Sequence, residues 1–170
     1  KTAVEFTNIY FMLLNYWTLV ESNNIARERK ETFHNFEKSK YADGTYFDKY
    51  VTGDYQPQSA RVKELFEGIF IPSGQDWAEL RDNVKADGLY HQNRLAVAPN
   101  GSISYINDVS ASIHPITQRI EERQEKKIGK IYYPAAYLSN ETINYYKSAY
   151  DMDMRKVIDV YATAQKHIDQ

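Results

Sequence analysis

Residues 2 to 29 read as one long helix, and its apolar side chains spread most of the way around it. Phe6, Ile9, Tyr10, Leu13, Trp17 and Val20 recur at steps of three and four. Phe11, Met12, Leu14 and Leu19 then widen the apolar face well past one stripe. A helix of that kind is buried in a larger body or packs on two sides. A free domain of 170 residues would find it hard to cover. Thr2 with Glu5 fits a capping box at its start. The chain opens at Lys1 and enters this helix almost at once. It stops at Asp169-Gln170, directly after another helical pattern. These ends lead us to expect a piece of something larger.

Composition narrows the function classes. Twenty-one basic and 23 acidic residues leave a formal net charge of −2, which sets up no field toward nucleic acid. There is no cysteine, so a disulfide framework, a thiolate metal site and a cysteine nucleophile are excluded within the chain. The histidines at 34, 91, 114 and 167 show no metal-ligand spacing. No signal peptide or membrane span is visible, and a cytoplasmic location is expected. Fifteen tyrosines beside seven glycines suggest a helical body whose packed positions carry rings with one polar tip. The expected fold class is mainly α with a few short strands.

Along the chain, residues 32–57 are aromatic and broken by Asp43-Gly44 and Gly53-Asp54, with short helices expected around 33–39 and 45–51. Their rings suit anchoring irregular chain to a core better than stacking bases, because no basic stripe accompanies them. Ser59 and Ser73 read as caps of two short amphipathic helices, the second ended by Asp87-Gly88. His91 has no carboxylate or nucleophile near it in sequence, so a structural hydrogen bond is expected there. Residues 117–130 are highly charged and read as a solvated helix or long loop; 131–133 read as a short strand or extended stretch. A helix is expected from Ser139 through Ala149. A last one, from about Asp153 to His167, carries a stripe of Met154, Val157, Ile158, Tyr161, Ala164 and Ile168.

One stretch carries a chemical signal. Leu95-Ala96-Val97-Ala98 reads as a short buried strand, Pro99-Asn100-Gly101 as a turn, and Ser102-Ile103-Ser104 as the opening of a helix. The helix would bury Ile103, Ile106 and Val109. The first amides of a helix have no internal partner, and the helix dipole adds partial positive charge beside them. Gly101 allows close backbone approach, and Ser102 and Ser104 can supply hydroxyl donors. Strand, turn and helix start thus make a candidate phosphate cradle, although strand–Pro–Asn–Gly is also an ordinary turn.

Longer strings carry a family resemblance. Tyr90-His91-Gln92-Asn93-Arg94-Leu95-Ala96-Val97-Ala98-Pro99, with Gly101-Ser102-Ile103-Ser104 and Ser110-Ala111-Ser112-Ile113-His114-Pro115, resembles the large (α) subunit of class Ib ribonucleotide reductase. So do Leu14-Asn15-Tyr16-Trp17-Thr18-Leu19-Val20-Glu21-Ser22-Asn23-Asn24, Phe36-Glu37-Lys38-Ser39-Lys40-Tyr41, and Ser148 through Tyr161. The likeness runs over essentially the whole chain and corresponds to a minor, C-terminal-half portion of such a subunit.

The resemblance implies a piece of a ten-stranded α/β barrel that reduces ribonucleoside diphosphates to deoxyribonucleotides through a cysteine thiyl radical. The radical and redox cysteines, the barrel-core Asn and Glu and the effector site would lie outside this stretch, so no catalytic residue and no metal ligand is assigned here. It implies that Pro99, Asn100, Gly101, Ser102 and Ile103 hold the substrate diphosphate, with Asn100 where a hydroxyl residue is common. The pairs Tyr132-Tyr133 and Tyr145-Tyr146 read as packing residues; the family's tyrosine relay lies nearer the C-terminus. The piece itself would bind no cofactor. The intact enzyme would need a dimetal-radical β subunit, nucleotide effectors and a thiol reductant. Expected partners are the remainder of the α subunit, the β subunit and a nucleoside diphosphate, with no nucleic acid and no membrane.

We expect a single segment over 1–170. Helical casing would span 1–88, the strand, loop and helix 89–112, and the charged segment with C-terminal helices 113–170. Two other readings differ in kind: a non-catalytic helical interaction module, which should hide helix 2–29 in its own core, and a nucleic-acid-binding domain, which the balanced charge disfavours.

Overall fold

The long helix forms as its periodicity predicts: α1 runs over Thr2–Arg29. The structure, a computed structural model, describes residues 1–125 and 129–169. Lys30, in the left-handed region at φ 54°, closes α1 by donating its amide to the Ala26 carbonyl. The capping box expected of Thr2 and Glu5 does not form. The Glu5 carboxylate instead accepts the amides of Gln58 (2.6 Å) and Ser59 (3.0 Å). Those bonds hold its pKa below the ordinary carboxylate value and pin the chain that enters α3 (Ala60–Leu65).

The described chain falls into two compact units, one of Lys1–Ala96 with the segment from Thr163 onward, the other of Val97–Ala162. The first unit has a core. Ile9, Met12, Leu13 and Leu19 of α1 pack with Val62 of α3 and with Trp77, Leu80 and Val84 of α4 (Gly74–Asp87). Helix α4 begins with a capping box in which Ser73 and Asp76 exchange bonds, and ends where Gly88 turns at φ 80°. Phe47 and Tyr50, beside and within the single turn α2 (Asp48–Val51), insert from the broken aromatic stretch. The Trp77 indole lies flat on Tyr50 at 4.0 Å and edge-on to Tyr16 at 4.9 Å. Phe33, Phe36, Tyr41, Tyr46 and Tyr55 pack half-buried against the same core, so the rings of 32–57 anchor irregular chain to it.

A buried polar chain threads this core. The Tyr46 hydroxyl donates to Asn15 Oδ1, Asn15 Nδ2 to the Tyr50 hydroxyl, and Tyr50 meets His167 Nδ1, each at 3.0 Å. His167 Nε2 faces Asn8 Oδ1 at 2.9 Å. An amide oxygen only accepts, so Nε2 carries the proton and Nδ1 accepts from Tyr50. Burial, with Lys49 and Lys166 nearby, pulls the His167 pKa down from 6.5 to about 4.

In the second unit, α5 spans Gly101–Ile106 and α6 starts at Met154 and runs to Gln165, its last turn entering the first unit. Between them lies an antiparallel hairpin, β1 (Ile120–Glu125) and β2 (Gly129–Pro134), in the register Ile120↔Pro134. The charged segment expected as helix or loop is thus a strand over 120–125; its residues 126–128 lie outside the described ones. The helix expected from Ser139 is replaced by two 3-10 turns, Ile143–Tyr145 and Ala149–Asp151. Thr142 Oγ1 donates to the Tyr137 carbonyl and accepts the Ser139 amide. Such local side-chain bonds compete with helical ones. Tyr133 and Tyr146 are half-buried as packing residues, whereas Tyr132 and Tyr145 are exposed. The expected face of α5 is open too: Ile103, Ile106 and Val109 are exposed. Along α6, Met154, Ile158 and Tyr161 are exposed, and Ala164 is buried. No helix among the described residues is long and apolar enough to cross a membrane.

The sign of the His167 shift sets a pH test. The unfolded chain binds a proton near pH 6.5, the folded chain only near pH 4. Stability from this group is therefore complete above about pH 6.5 and drains as the pH falls toward 4, by a total on the order of 3 kcal/mol. Urea unfolding at pH 7 and pH 5 should show about 2 kcal/mol of that loss, and His167→Gln should flatten it over the same interval.

Candidate functional site

The stretch leading to the candidate cradle is held by one carboxylate. Asp169 Oδ2 accepts the amides of Arg94 (2.5 Å) and Leu95 (2.8 Å), and the Asp169 amide returns a bond to the Leu95 carbonyl at 3.1 Å. Asp169 Oδ1 also takes Arg94 Nη2 at 3.1 Å, an ion pair whose side chains are only 3% and 10% exposed. The same Nη2 donates to the Tyr41 hydroxyl, and the guanidinium lies over the Tyr41 ring at 5.0 Å. Arg94 Nε and Nη1 have no partner among the described residues.

The expected buried strand over 95–98 is absent. Ala96, Val97 and Ala98 are exposed and carry no strand. A strand exists only as part of a ladder, and the sole sheet among the described residues is the β1–β2 hairpin. Asp169 takes the place of a neighbouring strand at Arg94 and Leu95.

The loop itself lies wholly in the second unit. Pro99 and Asn100 are exposed, and Asn100 is the N-cap of α5 with φ −113° and ψ 60°. Its amide is turned inward and donates to the Ala111 carbonyl at 3.1 Å, while its carbonyl accepts the Ser104 amide at 3.1 Å. Its side chain makes no cap bond. The next three amides, of Gly101, Ser102 and Ile103, meet no acceptor among the described residues. They are the orphan donors of a helix start. A Cβ built on Gly101 would meet nothing within 4 Å, so the space over it is open. Ser102 is exposed, and Ile103 turns its side chain outward at 60% exposure. Ser104 does not join them: it is buried, and its hydroxyl donates to the Gly101 carbonyl at 2.6 Å.

The expected donor set thus contracts to three amides and the Ser102 hydroxyl. Asn100 and Ser104 shape the loop from within. His91 behaves as expected, its amide 2.9 Å and its ring Nδ1 3.3 Å from the Ser22 hydroxyl.

A cavity of about 530 Å³ also opens in this unit, between α5 and the hairpin. Tyr105, Asp108, His114, Glu121, Tyr133 and Tyr146 line it, and none of residues 99–103 does. On its wall Tyr105 donates to Glu121 at 3.0 Å, and Arg123 pairs with Glu121 at 2.8 Å, holding the Glu121 pKa below its usual value. Nothing in the spacing of these residues announces the cavity, because the hairpin that builds it lies in the charged run. Among the described residues no group of three or more His, Asp or Glu is placed to hold a metal ion.

All of residues 1–170 match the family described as ribonucleotide reductase, barrel domain. The chain belongs to that family. It is similar to the ribonucleoside-diphosphate reductase NrdEB subunit alpha of Bacillus subtilis strain 168, with 50% identity over 170 residues, 100% of this chain and 16% of the relative. It is 48% identical over 168 residues to a ribonucleoside-diphosphate reductase subunit alpha of the same strain, 99% of this chain and 24% of the relative. The corresponding subunit of Mycoplasma pneumoniae is 40% identical over 174 residues, 99% of this chain and 24% of the relative. The chain spans between a sixth and a quarter of the length of these relatives. Within this ribonucleotide reductase barrel chain, then, residues 99–103 are a turn and helix start in which the amides of Gly101, Ser102 and Ile103 remain unspent.

The Asp169 clamp yields a test. Asp169→Ala leaves Arg94 buried without its counter-charge and frees two backbone amides. It should destabilise the first unit by about 3–5 kcal/mol, read as a fall in the urea midpoint at an unchanged slope.

Proposed function

We propose that this chain is part of the α subunit of a class Ib ribonucleoside-diphosphate reductase, working in the cytoplasm, and that it supplies the loop that binds the substrate's diphosphate. The observation that carries the reading is the row of three unspent amides at Gly101, Ser102 and Ile103 beneath open space, in a chain of this family. An oxyanion placed there would accept backbone N–H bonds from a helix start, where the partial charge favours it. Gly101 lets a phosphate approach without meeting a Cβ. The Ser102 hydroxyl adds a donor, and Pro99 limits the backbone leading in. Asn100, tied to Ala111, keeps the amides from turning inward.

Such a loop binds and orients; it does no bond-breaking. The chain has no cysteine, so a thiol-based reduction draws on residues outside it. The remainder of the α subunit would supply these and the contacts to base and ribose. A β subunit carrying a dimetal-radical centre, nucleotide effectors and a thiol reductant complete the proposed enzyme. The chain alone is inactive on this reading. The interaction-module alternative gains nothing from the structure: α1 leaves Trp17 51% exposed, where a self-sufficient module would hide it.

Gly101 gives the test. In the complete subunit, Gly101→Val should raise the KM for a nucleoside diphosphate about tenfold, the worth of one or two lost amide bonds, with thermal unfolding unchanged because the site is open. Unchanged KM would reject the loop as the diphosphate site. The isolated chain should bind a nucleoside diphosphate only weakly, with a Kd of about 1 mM or above, measured by calorimetric titration; tight binding would contradict a loop that needs partners for base and ribose.

A further inference from the structure

From Phe6 to Val20 the chain contains no charged residue, yet only one side of α1 faces the core of its unit. Ile9, Met12, Leu13, Tyr16 and Leu19 are buried. The opposite side carries Tyr10, Leu14 and Trp17, spaced by four and three and so aligned along one stripe about 10 Å long. Tyr10 and Trp17 are exposed. Phe11 sets its ring edge-on to Tyr10 at 5.6 Å. From the chain after α3, Phe70 brings its ring within 6.1 Å of Trp17, and Ile69 beside it in sequence is exposed as well. The stripe ends at Glu21, exposed on the same side. A soluble helix places charge on the side turned to water; this one does so only beyond Val20. Contiguous exposed apolar surface of this kind marks an interaction site.

We propose that this face of α1, with Phe70 at its edge, is the seat of another segment of the α-subunit polypeptide, one outside these 170 residues. The inference rests on the proposed membership of an α subunit. Its occupant follows from proportion. Relatives half identical along the whole of this chain are four to six times as long, so most of such a subunit lies outside it. An apolar helix face without charge suits a permanent interior contact, because the cores of obligate interfaces are depleted in charge and resemble a domain core cut in half. A second copy of this chain is the rival occupant.

The two tryptophans make the test direct, since Trp77 is fully buried and Trp17 half exposed. The 170-residue chain is mixed with the flanking pieces of the Bacillus subtilis α subunit, co-expressed without the 168 matching residues. Acrylamide quenching and emission maximum report on Trp17, and sedimentation reports mass. We expect a complex in which Trp17 shifts to the blue and loses most of its quenching. Tyr10→Glu with Phe70→Glu should weaken that complex at least tenfold, while the free variant keeps its helical circular dichroism. Gly101→Val should leave the complex intact, which separates this surface from the phosphate loop.

A complex in which Trp17 stays quenchable, or that the Tyr10/Phe70 variant forms equally well, would overturn the surface and leave the diphosphate reading standing. Doubling of mass with Trp17 shielded in the chain alone would assign the face to a second copy and overturn the proposal. No complex with either flanking piece would overturn it too.

Discussion

Four hydrogen bonds in apolar surroundings decide how the first unit closes. Tyr46, Asn15, Tyr50, His167 and Asn8 form a line in which each donor has one acceptor, and the direction of every bond follows from the last. Asn8 Oδ1 can only accept, which fixes the His167 tautomer. The tautomer fixes the direction of the Tyr50 hydroxyl, which leaves its oxygen for Asn15. Buried polar groups are costly unless all are satisfied. A satisfied line therefore specifies one arrangement of α1, the aromatic stretch and the returning segment after Ala162, where apolar packing alone would tolerate several. Burial also pushes the Tyr50 pKa up and that of Tyr46 to about 12, so both phenols stay protonated as the line requires.

Local patterns were legible where a segment's own residues decide its state. The 3.6-residue recurrence in α1, the Ser73 cap with Asp76 three residues on, and Gly88 at the end of α4 all report on neighbours in sequence. Glu5 misled because its carboxylate bonds residues 58 and 59, not its own helix start. Residues 131–133 showed as extended and lie in β2, but the hairpin's other strand was illegible for a similar reason. That strand reads Ile-Glu-Glu-Arg-Gln-Glu, a run poor in β-branched residues whose conformation comes from its partner. Tyr105 and Arg123 take up Glu121 on one face, and Lys130 pairs with Glu122 at 2.6 Å on the other. Tyr105 lies 16 residues from Glu121, and Lys130 meets Glu122 only once the hairpin register is set.

At the candidate site the same division holds. Gly101 and the small residues after it marked a helix start, and three free amides are there. Which amides stay free depends on Ala111, ten residues away from Gly101, because its carbonyl consumes the Asn100 donor. Ser104 looked like a donor by type but is spent on the carbonyl three residues behind it, a habit of hydroxyl residues inside helices. Arg94 and Asp169 lie 75 residues apart, and nothing local to either announces the other.

The two units differ in a way that bears on what each can do. The first buries aromatic and aliphatic side chains around Trp77. Among the described residues from 97 to 162, Ser104 alone is buried, while Ile106 is 82% exposed and Met154 and Ile158 are open. Fixing backbone costs roughly 1–2 kcal/mol per residue, and the compensation comes chiefly from apolar burial. A segment that buries so little cannot hold the candidate phosphate loop rigid through its own packing. The amides of Gly101 to Ile103 are free of acceptors but weakly braced, and pre-organisation is what converts such donors into affinity. The loop's chemistry is thus local, whereas its rigidity depends on whatever covers the apolar side chains of α5 and α6.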